Sequence, residues 1–291
     1  MKQFLKFSLP VVLLGLTASC NDLKESDYIT TQGFPGCYAV VTDTQNGTVT
    51  VTDNVSVGLE VNWTQESGKA IFVGLVIGGT NYPQLTFSNI GLTNDKEWYY
   101  SNTNPVASLN TGASPAVDNF KFRWNDRLDM PNLPLGTYYP AFAYSFTIDN
   151  RYNVAGSRYP FFLWGQYEVA TNGVVSLTSD VTRFDCTPNF KDNTMNVLIY
   201  GAQFTPQGPP YGMPKMDIEL QNIPMTYDGN ILNFENEGVI IPVAQGSPFD
   251  GFPCTDIKGS VNPVTGLTLS FVVNGRGTVT ATANNFDYRE K

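Results

Sequence analysis

Aromatic side chains suited to sugar binding are concentrated in the segment between residues 98 and 139. Sugar rings present C–H faces that stack on aromatic rings, while their hydroxyls hydrogen-bond to neighbouring amide, carboxylate and guanidinium groups. Asn, Asp and Arg accompany the aromatic residues here, so the segment predicts a ligand-contact surface. Tyrosine is also common in ordinary β-strands, which leaves packing within a sheet as the alternative. The candidate residues are Trp98, Tyr99, Tyr100, Trp124, Tyr138 and Tyr139.

Histidine is absent from the chain. Ser-His-Asp and Cys-His catalysis need an imidazole, as do many zinc and iron sites. Paired carboxylates could still hydrolyse a glycoside if they faced one another across a cleft. The pairs Asp126 with Asp129 and Glu235 with Glu237 are close in sequence within turn-like contexts, which is typical of solvated surface charge. We therefore expect no catalytic residue, metal or cofactor, with a carboxylate-dependent glycoside hydrolase as an alternative.

Residues 1–19 have the organisation of a secretory signal peptide. Lys2 precedes an apolar run from Phe4 to Leu16, which is too short to cross a bilayer as a stable helix. Small residues follow, and Cys20 comes directly after them, where bacterial lipoproteins carry their acyl chains. We therefore expect the signal peptide to be removed and Cys20 to be lipidated.

The mature chain is acidic, and this limits its partners. The whole sequence has a formal charge of −9, which becomes −11 when Lys2 and Lys6 are removed with the signal peptide. We expect no binding to nucleic acid. Residues 20–36 form a tether whose acidic start resembles the export signals that carry lipoproteins of the Bacteroidota to the outer face of the outer membrane. That resemblance implies a lipid-anchored protein facing the cell exterior.

Three cysteines remain after Cys20, namely Cys37, Cys186 and Cys254. An odd number outside the cytoplasm permits at most one disulfide within the chain. Cys186 and Cys254 are the expected pair because both lie in the second half, which would leave Cys37 free. Their spacing matches no pattern of metal ligands.

Turn dipeptides flanked by alternating β-branched residues predict an all-β fold. Asn46-Gly47 and Asn172-Gly173 are such turns, because Asn-Gly favours the positive φ angles of tight hairpins. The two halves of the mature chain also match in register, which predicts two tandem antiparallel β-barrel or sandwich units related by internal duplication. Their bounds are 37–160 and 161–291, and each is large enough to bury its own core. The matches include Ile71 with Val197 and Val73 with Ile199 at an offset of 126, Leu85 with Ile218 at 133, and Ser145 with Ser270 at 125.

Three stretches of the second unit carry a resemblance to a known family. Residues 195–201, 213–220 and 259–270 look like the calycin-like β-barrel domains of Bacteroidota lipoproteins, and the repeat extends the resemblance to the first unit. The resemblance implies a small lipocalin-like barrel. It implies no catalytic residues.

We therefore expect a cell-surface lipoprotein of the outer membrane that acts as a non-enzymatic binding module for a glycan fragment or a small apolar ligand. A structural or adhesive surface protein is a second hypothesis, and the hydrolase is a third. A barrel interior lined by polar groups and aromatic rings would favour the first hypothesis. A filled interior would favour the second, and facing carboxylates the third.

Overall fold

The computed structural model describes residues 29–62, 64–91, 93–95, 98–103, 106–109, 115–125, 141–208, 212–263 and 265–284. These residues form two antiparallel β units and include no helix, so the predicted fold class is confirmed. The predicted signal peptide and Cys20 lie outside the described residues. So do Tyr138, Tyr139 and the carboxylate pair Asp126 with Asp129.

The first unit is a curled sheet of ten strands in the order β5-β6-β8-β9-β10-β1-β2-β3-β4-β7. Strand β1 begins at Ile29, which pairs with Asn62 of β2. The predicted tether of residues 20–36 is therefore wrong at its end, because residues 29–36 already belong to the sheet. The strands are β1 (Ile29–Asp43), β2 (Val49–Asn62), β3 (Ser67–Ile77), β4 (Thr80–Gly91), β5 (Thr93–Asp95), β6 (Trp98–Thr103), β7 (Val106–Leu109), β8 (Val117–Asn125), β9 (Ala141–Ile148) and β10 (Tyr152–Arg158).

The second unit is a closed barrel of eight strands. The order β14-β13-β11-β21-β20-β19-β16-β15 returns on itself because β15 also pairs with β14. Strand β12 extends the hairpin that starts with β11, and the short β17 and β18 lie beside β15. The strands are β11 (Phe161–Thr171), β12 (Val174–Thr178), β13 (Thr182–Asn189), β14 (Thr194–Ala202), β15 (Met216–Asp228), β16 (Ile231–Asn236), β17 (Val243–Ala244), β18 (Ser247–Pro248), β19 (Cys254–Asn262), β20 (Gly266–Val273) and β21 (Gly277–Asn284).

The two units follow the same path. Each is a meander whose last long strand returns to pair with its first, β10 with β1 and β21 with β11. They also share irregularities in the strands, where single residues with positive φ bend the backbone. Asn89 in β4 and Asn222 in β15 have φ angles of 58° and 56°, and Asn119 in β8 and Asp256 in β19 have angles of 53° and 52°. A common origin of the two units by duplication stays a prediction.

Cross-strand pairs correct the register of one predicted match. The pair Ala70 with Phe87 corresponds to Val197 with Leu220, which gives offsets of 127 for β3 and 133 for β4. The predicted offset of 126 in β3 is therefore wrong by one residue. Val73 is 46% exposed, whereas its predicted counterpart Ile199 is fully buried. A slip of one residue moves a side chain to the other face of a sheet, so the two positions are not equivalent.

Both interiors are filled by apolar side chains. The first unit contains a cluster of aromatic rings in which Phe72 lies 5.4 Å from Phe87 and 4.8 Å from Tyr144, between ring centroids. In the second unit, fully buried residues such as Phe184 and Phe271 project from β13 and β20 into a continuous core. These interiors differ from the lined cavity that a lipocalin-like ligand carrier would need.

The units contact one another through the outer face of β1. Tyr38 is fully buried between them, with ring centroids 4.8 Å from Phe190 and 6.2 Å from Phe161. Tyr159, in the connection between β10 and β11, donates its backbone N–H to Gly36 and its phenol O–H to the carboxylate of Asp53. The connection is therefore packed and hydrogen-bonded to the first unit.

Candidate functional site

Four of the six aromatic residues predicted to contact a ligand lie on two neighbouring strands of the first unit. Trp98, Tyr99 and Tyr100 are in β6, and Trp124 is in β8. The backbones of Tyr99 and Trp124 are directly paired. Their role in ligand contact stays a prediction.

The predicted disulfide between Cys186 and Cys254 is wrong, because both thiols are free and buried. Cys186 lies in β13 and Cys254 in β19, which are four strands apart in either direction around the barrel. Eight tilted strands spaced about 4.8 Å apart enclose a barrel on the order of 15 Å across. A disulfide needs Cα atoms within about 7 Å, so thiols on opposite walls cannot bond. Proximity in sequence was a poor guide to proximity in the barrel.

The carboxylates that bear on the hydrolase hypothesis differ in their surroundings. Glu235 and Glu237, at the end of β16, are both exposed. Asp185 is mostly buried on the outside of the barrel, where Arg183 donates two hydrogen bonds of 2.6 Å to it and Tyr200 donates one of 2.9 Å. Burial raises the pKa of Asp185, although these hydrogen bonds oppose the rise. Its two oxygens are occupied by protein groups, which indicates a structural role.

A different site lies at one end of the first unit, where three turns meet. These turns join β1 to β2, β3 to β4 and β9 to β10. They surround an open cavity of about 230 Å³, which we call the first mouth. Its lining combines carboxylate, amide, hydroxyl and guanidinium groups with one aromatic ring. The lining residues are Val41, Asp43, Asn46, Thr48, Thr50, Gly78, Gly79, Arg151 and Tyr152.

Turn-forming residues give the first mouth its shape. Gly78 and Gly79 have φ angles of 56° and 80°, which residues with a Cβ rarely adopt. Gly78 also lacks the Cβ that would come within 2.4 Å of the Tyr152 phenol oxygen. Asp149 and Asn150 form the third turn with φ angles of 54° and 51°. The turn between β3 and β4 therefore has no side chains, which leaves room for the Tyr152 ring and the cavity beside it.

An ion pair holds one side of the first mouth. Arg151 donates from Nη2 to Asp43 Oδ2 at 2.6 Å and from Nε to Oδ1 at 3.1 Å. The backbone N–H of Gln45 donates to Oδ1 as well, at 3.0 Å. Hydrogen bonds from Arg151 lower the pKa of Asp43, and the same contact raises the pKa of Arg151. The Arg151 guanidinium also lies 4.8 Å from the centroid of the Tyr152 ring. The charged guanidinium and the aromatic ring are thus held next to one another at the cavity wall.

The equivalent end of the second unit is closed differently. After β14 the chain inserts Phe204 into the barrel, where it is 1% exposed and lies 5.4 Å from Phe271. Met213 is fully buried, and its backbone N–H donates to Thr205 Oγ1 at 2.7 Å. The longer loop thus plugs this end of the barrel. A cavity of about 270 Å³ remains against the loop, lined by Thr171, Phe204, Thr205, Pro206, Gln207, Gly275 and Arg276.

Sequence reasoning missed the residues of the first mouth. Asp43 and Arg151 are 108 positions apart, and no local motif marks either residue. The turn dipeptides were the sequence signal from which the first mouth could have been found. Asn46-Gly47, Gly78-Gly79 and Asp149-Asn150 all end neighbouring strands, so an up-and-down meander brings them to the same end of the sheet.

Other features of the described residues point to no established class of protein. They contain no cluster of three or more Cys, Asp or Glu side chains arranged for a metal ion. Among them, no helix is long and apolar enough to cross a membrane. No family model and no curated protein matches the chain.

Proposed function

We propose that this chain is a non-enzymatic binding module that takes one unit of a glycan, or a similar small polar ligand, at the first mouth. The observation that carries the proposal is the combination of a ring, an ion pair and exposed hydroxyls around an open cavity of about 230 Å³. Pockets for drug-sized ligands occupy about 300–1,000 Å³, so this cavity suits a smaller molecule such as a single sugar ring.

The composition of the lining favours a hydroxyl-rich ligand over an apolar one. Thr48 and Thr50 are exposed, and Arg151 keeps 38% of its side chain accessible. The ring of Tyr152 offers the apolar face on which a sugar ring stacks. The apolar alternative loses support because the interiors of both units are filled by protein side chains.

The cellular location of the protein is part of the same proposal. A signal peptide over residues 1–19 and a lipid on Cys20 would anchor the chain in the outer membrane, facing the cell exterior. β1 begins at Ile29, nine positions after Cys20, so little chain would separate the anchor from the first unit. The eight-stranded meander agrees with the resemblance to calycin-like lipoproteins.

Two glycine variants test the first mouth. Gly78→Ala adds a Cβ that must displace the Tyr152 ring, whereas Gly229→Ala, in the second unit, adds one with no atom within 4 Å. Both positions have positive φ, so both variants carry a similar backbone strain. On a glycan array with the full chain, we expect Gly78→Ala to weaken binding by about tenfold or more and Gly229→Ala to retain it. Equal binding by the two variants would move the site away from Tyr152.

A structural or adhesive role is the second candidate, and the filled interiors favour it. Apolar side chains pack both cores, and the outer face of β1 packs against the second unit. Such a chain would serve as a rigid spacer at the cell surface. If the array shows no glycan binding while deletion of the protein weakens cell adhesion, this second function replaces the first.

A further inference from the structure

We propose that the first mouth selects neutral sugars over sugars that carry a carboxylate, because the charge of Arg151 is already matched by Asp43. This inference rests on the proposed function and adds the class of ligand. It follows from how the donors and charges of the ion pair are divided between the protein and the cavity.

Arg151 retains donors for a ligand. A guanidinium has five N–H donors. Nε and Nη2 each direct a hydrogen bond to Asp43, and no described residue accepts a hydrogen bond from Nη1. Arg151 lines the cavity, so the donors left on its guanidinium can serve the oxygen of a ligand hydroxyl. Because Asp43 fixes the guanidinium with two hydrogen bonds, these donors are held in place before a ligand arrives.

Two threonine hydroxyls complete the set of groups that a neutral sugar needs. Thr48 and Thr50 line the cavity and are exposed, so their hydroxyls can donate or accept. Asn46 is placed less freely, since its Oδ1 accepts from the backbone N–H of Thr48 at 2.8 Å. A sugar ring could thus receive hydrogen bonds from Arg151 and exchange others with the threonine hydroxyls.

A carboxylate in the cavity would meet an unfavourable charge balance. Among the described residues that line the cavity, Asp43 and Arg151 are the charged ones, and they neutralise one another. A ligand carboxylate would approach Asp43 with no cation left over to compensate it, within a chain that has 26 acidic and 17 basic residues. Like charges brought close together at an interface reduce affinity. We expect hexuronates to bind at least about tenfold more weakly than the matching hexoses.

Binding of methyl hexosides and the corresponding hexuronates to the full chain, measured by saturation-transfer NMR and titration, tests the inference. Asp43→Asn keeps the shape of the side chain and leaves Arg151 uncompensated, so the hexuronates should become the tighter ligands. Asp250→Asn removes the same charge from an exposed residue of the second unit, outside the lining, and should change the preference by less than about threefold. Arg151→Gln leaves Asp43 without its cation, so it should weaken the binding of hexuronates further.

The outcomes separate the two proposals. Wild-type protein that binds hexuronates as tightly as hexosides would overturn the charge selection and leave sugar binding intact. Absence of binding for every probe would overturn the proposed function, and the selectivity with it. If Asp43→Asn destabilises the protein so much that its ligand binding cannot be measured at room temperature, Arg151→Gln still decides the sign of the charge effect.

Discussion

Replacement of Phe72 by alanine should strongly destabilise the first unit, whereas replacement of its neighbour Val73 should not. Phe72 is fully buried and contacts the rings of Phe87, Phe120, Tyr144 and Phe146, at centroid distances between 4.8 and 6.4 Å. Loss of a buried phenylalanine costs about 3–5 kcal/mol through lost burial and the cavity left behind. Four ring neighbours place Phe72→Ala in the upper half of that range, at about 4–5 kcal/mol.

The control variant is Val73→Ala, because neighbouring residues of a strand point to opposite faces of the sheet. Val73 is the next residue of β3 and is 46% exposed, so Val73→Ala should cost less than about 1 kcal/mol. Both variants shorten an apolar side chain of the same strand, but only one is in the core. Equilibrium urea unfolding gives the free energy of each variant by linear extrapolation. Tryptophan fluorescence follows mainly the first unit, since three of the four tryptophans lie there.

The pair of variants also decides between two ways of aligning β3 with β14. The offset of 126 would align Val73 with the buried Ile199, whereas the offset of 127 aligns Phe72 with it. Equal losses for the two variants, or a loss above about 2 kcal/mol for Val73→Ala, would refute the inward direction of Phe72 and the register drawn from it.

Three further predictions concern the thiols, pH and the anchor. Burial raises the pKa of the Cys37 and Cys254 thiols to about 12. A thiol reagent should therefore label residues 37, 186 and 254 only after unfolding. A Cys186–Cys254 disulfide found by peptide mass spectrometry would contradict this. The lowered pKa of Asp43 means that its contribution to stability is complete above the ordinary carboxyl pKa of about 4 and is lost as the pH falls through the lowered value. Asp43→Asn should therefore flatten the acid side of the thermal midpoint against pH, and an unchanged slope would count against the ion pair. Cys20→Ala should move the protein from membrane to soluble fractions, and continued membrane retention would contradict lipidation at this residue.

The β-class and the turns could be predicted because both depend on local chemistry. Asn172 and Gly173 have φ angles of 51° and 78°, as expected of the tight hairpin turn predicted at this dipeptide. The register of β3 could not be predicted as well, since Ile71, Phe72 and Val73 are all apolar and alternation does not tell the inner face from the outer one. Gly74, with a φ angle of 81°, then interrupts the alternation.

The candidate site escaped prediction for a different reason. The first mouth depends on Asp43 and Arg151, which meet only when the last strand of the meander returns to the first. The disulfide prediction failed for a related reason, since strand order around a barrel separates residues that belong to the same half of the chain. Aromatic residues were the most visible signal in the sequence, whereas the pairing of strands determines which polar groups share a cavity.

The difference between the two mouths gives an argument about where binding and stability reside. The cross-strand pairs Ala70 with Phe87 in β3–β4 and Val197 with Leu220 in β14–β15 occupy corresponding positions. The connection in the first unit is Gly78-Gly79, whereas the connection in the second inserts Phe204 and Met213 into the barrel. The second unit therefore gains buried apolar surface at the place where the first keeps an open cavity. Because loops on a rigid β scaffold change without disturbing the core, we expect the first mouth to tolerate substitutions of Thr48 and Thr50 that alter ligand preference at little cost in stability. Replacement of Phe204 by a polar residue should instead unfold the second unit, because it would bury a polar group without a hydrogen-bond partner.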